Sequence, residues 1–94
     1  MKILDLPLKK QWYDMIANET KREEYRVIKP FWEKRLVNND GTFKDYTHVR
    51  FRYGYTNRTM LFKLDSITVG KGNTEWGAPD DKEVFILKLG NRVE

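Results

Sequence analysis

The sequence predicts an α+β fold, mainly β: a small curved sheet or barrel of roughly five to six strands with two short helices packed on it. Three observations lead there. Helical signals occur only in the first 36 residues, a run of helically spaced apolar residues and then a proline placed to open a second helix. Two-residue alternation dominates the remainder of the chain. One of those alternating runs slips phase midway, as a strand does at a bulge, and bulges let a small sheet curl.

Taken in order, "MKILDLP" reads as a first strand ended by Pro7. Leu8, Trp12, Met15 and Ile16 then recur at helical spacing, one apolar core stripe across residues 8 to 19, with Asn18 placed to stop the helix in a left-handed conformation. "EEYRVI", residues 23 to 28, reads as a strand with Tyr25 and Val27 on one face and Glu24, Arg26 and Ile28 on the other. Pro30 opens the second helix, turning Phe31, Trp32 and Leu36 inward. "NNDG" is a turn signal in which Gly41 supplies the permissive backbone.

In "YTHVRFRYGY", Val49, Phe51 and Tyr53 share an apolar face, and His48, Arg50 and Arg52 share a basic one. Met60, Phe62 and Leu64 continue the alternation, but Ile67 and Val69 come in the opposite phase, which predicts a bend near Asp65 and Ser66. "GKGNTEWGAPDD" is a loop holding one isolated tryptophan. "EVFILKL" is apolar on both faces, as a central or barrel-closing strand is.

A chain of 94 residues suits one domain, 1–94, with one modest core built largely from its 3 Trp, 5 Tyr and 5 Phe. Lys and Arg outnumber Asp and Glu by 18 to 14, which suits an anionic partner such as RNA or a nucleotide. Cysteine is absent, which removes disulfides, thiolate metal sites and cysteine nucleophiles. The longest apolar run, Val84 to Leu87, is too short for a membrane span, and the N-terminus lacks the apolar region of a signal peptide. A cytoplasmic protein without membrane partner, cofactor or metal is expected.

The single serine, Ser66, and the single histidine, His48, lie in no nucleophile-elbow context, which argues against a Ser-His-Asp triad. "GKGN" around Lys71 lacks the full phosphate-loop spacing. What remains is Lys21, Glu24 and Arg26, where a helix ends and a strand begins. Three readings are open. The trio clamps a phosphate or base edge with Glu24 orienting the cations; or a desolvated Lys21 acts as a base; or it is a solvated ion pair of little energetic consequence.

The trio falls in register with G-x-K-x-x-E-x-R, and on Lys21, Glu24 and Arg26 the chain resembles the ASCH domain family of the PUA-like superfamily. Glu19 stands where the signature has glycine, with Asn18 beside it as a substitute for the turn. The resemblance implies a PUA-like β-barrel with a cleft beside the motif and a role with RNA or nucleotides. In that setting Lys21, Arg26, Arg50 and Arg52 are expected to contact phosphates and Glu24 to accept from a base or sugar. Trp76 is either a stacking platform at the cleft rim or a loop anchor folded onto the core; Tyr53 and Tyr55 are lesser stacking candidates.

The same resemblance carries alternatives. One ASCH-like branch removes acyl groups from N4-acylated cytidine with a threonine where this chain has Glu24, so that mechanism is not inherited. Another branch is associated with RNA cleavage, for which Lys21 and Glu24 would be the catalytic candidates. A protein partner, as for a transcriptional coactivator, is the third.

Overall fold

The computed structural model describes residues 1–94. Five strands and two helices succeed one another as β1 (Ile3–Leu8), α1 (Lys10–Ala17), β2 (Glu23–Arg26), α2 (Pro30–Leu36), β3 (His48–Tyr53), β4 (Thr59–Gly70) and β5 (Val84–Arg92). The strands form one sheet in the order β1-β3-β4-β5-β2, curled into a half-barrel. Only β1 and β3 run parallel; the other neighbours are antiparallel.

The curl originates in β4. Its first half pairs with β3, and from Phe62 to Gly70 it pairs with β5 across two register shifts between Phe62 and Ser66. This is the bulge expected near Asp65 and Ser66. Gly90 lies opposite it, and a β-carbon there would stand 2.5 Å from Asp65 Oδ1, so a larger residue would require the exposed Asp65 side chain to move. The concave side holds the core, with Leu6 of β1, Phe51 of β3, Phe62 of β4 and Leu87 of β5 meeting Ile16 of α1 and Leu36 of α2. As expected, β5 is a central strand, with Val84, Phe85, Leu87 and Leu89 all buried.

Several expectations need correction. Pro7 does not end β1, which runs on through Leu8. An edge strand needs no donor on its open side, so proline is admissible there and also blunts the edge against a stray partner. The first helix is shorter than residues 8 to 19, and its buried residues are Tyr13 and Ile16; Leu8 is buried within β1, while Trp12 and Met15 are only half-buried. In α2 Leu36 alone is buried, Trp32 is half-buried, and Phe31 is 49% exposed. β2 stops at Arg26, leaving Val27 and Ile28 exposed.

The turn after α1 also differs. Asn18 has φ −92°, and Glu19 adopts the left-handed conformation with φ 66°. The residue standing in place of the signature glycine thus has the conformation that glycine favours.

β1 and β2 are the two free edges of the half-barrel. They do not pair; a single side chain bridges them, Arg26 Nη2 donating to the Pro7 carbonyl at 3.3 Å. No helix is long and apolar enough to cross a membrane.

Candidate functional site

The opening between those two edges is a cleft of about 480 Å³, within the size range of small-molecule and cofactor sites. Glu24 and Arg26 of β2 line it from one side, and Pro7, Leu8 and Lys9 from the other. Trp12 of α1 and Trp76 of the β4–β5 loop supply indole walls, and Tyr55 of the β3–β4 turn stands at the mouth.

Alternation along β2 puts Glu24 and Arg26 on one face, as the strand geometry requires. Glu24 is 6% exposed, and its two oxygens are divided between two cations. Oε1 lies 3.3 Å from Lys21 Nζ and Oε2 lies 2.7 Å from Arg26 Nη2. The trio is therefore a buried network, which excludes the reading of a solvated surface pair. Its net charge of one positive unit remains at the cleft floor.

Lys21 is the most enclosed member, 1% exposed. Its ammonium lies 4.9 Å from the Trp12 ring centroid and 4.8 Å from that of Tyr25, and it donates to the Trp76 carbonyl. Burial pushes the Lys21 ammonium below the ordinary lysine value, while the Glu24 carboxylate beside it works in the opposite direction. Lys21 does not line the cleft. It is enclosed behind the cleft wall and fastens β2 to the loop that carries Trp76.

That loop is held at further points. The Asn73 amide donates to the Tyr25 hydroxyl at 2.9 Å, and the hydroxyl donates to Glu23 Oε1 at 2.8 Å. Burial holds the Tyr25 phenol well above its ordinary value, so it stays a neutral donor. Gly77, with φ 100°, passes so close to Trp12 that a β-carbon would stand 2.9 Å from Cζ2. Glycine is required there twice over, by conformation and by contact.

Arg26 is positioned as tightly. Trp32 lies under its guanidinium at 4.9 Å, while Glu24 and the Pro7 carbonyl take Nη2. Its Nε is buried with no partner in the chain. The cleft thus presents two indoles, one clamped guanidinium, a carboxylate already neutralised and an exposed Lys9. Planar aromatic ligands carrying an acceptor or an anionic group match that set. No group of three or more His, Cys, Asp or Glu side chains converges to hold a metal ion.

Of the residues singled out by sequence, the structure brings Glu24, Arg26 and Trp76 to the cleft, with Lys21 directly behind. The Trp76 carbonyl anchors the loop through Lys21, and its half-buried side chain lines the cleft. Arg50 and Arg52 lie outside it. Arg50 Nη1 faces Asp5 of β1 at 3.5 Å, and Arg52 Nη1 donates to the Thr56 carbonyl at 3.0 Å. Tyr53 packs edge-on against Tyr13 at 5.3 Å, and Tyr55 reaches the cleft mouth. Sequence reasoning missed Trp12, because an indole in a helical apolar stripe has the same pattern whether it faces a core or a cleft. It missed Lys9 too, a solvated lysine without a pattern. Comparison of the chain with protein-family models, curated proteins and solved structures finds no match.

Proposed function

We propose that this chain is an ASCH-like, PUA-like domain that binds RNA or a nucleotide, the base entering the cleft between β1 and β2. The observation that carries this reading is the juxtaposition of Trp12 and Trp76 with the carboxylate-held guanidinium of Arg26 in one cleft. Indoles hold a base by stacking and are tolerant of which base it is. Arg26 offers a keto oxygen or phosphate charge-assisted hydrogen bonds from a pre-oriented fork. Lys9 at the opening supports contact with the sugar-phosphate part.

The geometry favours binding over hydrolysis. A general base must reach the proton it takes, and Lys21 is enclosed by two rings, a carboxylate and a carbonyl outside the cleft lining. Glu24 has both oxygens committed to cations.

Trp76→Ala is the cleanest test. The substitution removes the ring but keeps the backbone carbonyl to which Lys21 donates, so the loop stays fastened. Stacking by one aromatic contributes about 1–3 kcal/mol per base, so affinity for nucleoside monophosphates should fall about tenfold with the melting temperature little changed. Unchanged affinity for every nucleotide that binds the wild type would refute the reading.

A further inference from the structure

The β3–β4 turn, residues 54 to 58, is braced far more than a simple connection needs. The Gly54 amide donates to the Leu8 carbonyl at 2.9 Å, and Gly54 takes φ 55°. Thr56 Oγ1 donates to the Tyr53 carbonyl at 2.7 Å and accepts from the Arg58 amide at 3.2 Å, while Arg52 holds the Thr56 carbonyl. Yet this fixed turn carries Tyr55 at its tip, 95% exposed and stacked on no other ring. An exposed phenol ring carried on a hydrogen-bonded turn, at the mouth of an aromatic cleft, has the form of a stacking platform.

The charges around it agree. Arg52 belongs to the turn's own hydrogen-bond network, and Arg58 stacks on Tyr13 and Tyr53 at 5.3 and 5.2 Å. Lys9 lies across the same mouth. On α1, the carboxylate of Asp14 is taken by Lys10 at 2.6 Å, which leaves these three cations without a carboxylate partner. An aromatic rim with unneutralised cations suits a base joined to a phosphodiester.

Resting on the nucleotide-binding reading above, we infer that Tyr55 stacks on the base next to the one in the cleft. Lys9, Arg52 and Arg58 then attract the phosphate that links the two. The ligand class is a single-stranded oligonucleotide rather than a free nucleoside or nucleotide.

The test compares uridine and adenosine 5′-monophosphates with the matching trinucleotides, U3 and A3, on the wild type, Tyr55→Phe and Tyr55→Ala. One added stacked base should raise wild-type affinity about tenfold from monophosphate to trinucleotide. Tyr55→Phe should keep that gain and Tyr55→Ala should reduce it to about twofold, the charge contribution alone. Equal wild-type affinity for monophosphate and trinucleotide overturns the inference but leaves the cleft reading standing. So does a Tyr55→Ala variant that keeps the full gain, or one that weakens both ligands equally. Binding of none of the four probes removes the nucleotide-binding reading itself and this inference with it. Tyr55 makes no core contact, so an unchanged melting temperature verifies that each variant is folded.

Discussion

Two clusters of charge in this molecule look alike in sequence and differ entirely in the fold. Lys21, Glu24 and Arg26 fall within six positions around β2, and Arg50 and Arg52 alternate along β3, with Arg50 facing Asp5 of β1. The first cluster is buried between two sheet edges, with every carboxylate oxygen matched to a cation. The second lies outside the cleft, at a 3.5 Å ion pair with both members partly exposed. Solvent access, more than charge count, separates a built site from an ordinary surface. In water the cations and carboxylates are screened, whereas enclosed they must be matched or the fold loses stability.

Substituting Glu24 probes the contrast most severely. Glu24→Gln keeps the shape but leaves the Lys21 ammonium buried without its counter-charge, and losing one partner of a buried pair costs about 3–5 kcal/mol. Urea denaturation should record that loss as a lower midpoint. A change under about 1 kcal/mol would place the trio with the surface pairs.

The same burial predicts a pH dependence of a particular sign. The folded Lys21 value is below the ordinary 10.5, so in the interval between the two the unfolded chain binds more protons and stability rises with pH. Tyr25 opposes this only above about pH 10, the ordinary tyrosine value, where the unfolded phenol ionises first. Denaturant midpoints should therefore climb as pH rises through the folded Lys21 value toward 10, and Lys21→Met should abolish the climb. A wild-type midpoint flat across that range would mean that burial does not govern Lys21.

Glu19→Gly carries the contrast to the entrance of β2. Relieving a left-handed non-glycine residue should stabilise the chain by about 1 kcal/mol, offset slightly by loss of the exposed 3.5 Å pair with Arg22. The smallest effect belongs to β3, where Arg50→Ala should cost less than about 1 kcal/mol and leave nucleotide affinity unchanged. Thermal melts and a binding titration read both.

The parts of the fold legible in the sequence are those set by local forces. Strand periodicity, the bulge at Asp65 and Ser66 and the double-sided burial of β5 are written in nearest-neighbour pattern. So are Pro30 at the head of α2 and the shared face of Glu24 and Arg26. Trp12 was not legible, because its partners Lys21 and Gly77 come from other parts of the chain. That Arg50 and Arg52 stand outside the cleft lining was hidden for the same reason. Alternation assigns them to a face of β3, but only the half-barrel's closure decides that the cleft opens between β1 and β2. The enclosure of Lys21 behind the cleft wall was not legible either, since nothing in a single strand's pattern distinguishes a lysine lining a cleft from one behind it.

Whether the cleft between β1 and β2 holds a base against Trp12 and Trp76 can be read from the indoles themselves. A proton–nitrogen NMR titration of labelled protein with single-stranded RNA addresses it directly, because the 3 tryptophans give separate indole signals. A base seated in the cleft should shift the Trp12 and Trp76 indole signals together and saturably, with the Arg26 Nε signal moving alongside them. Shifts confined to Trp32, or three indole signals that stay in place, would contradict it.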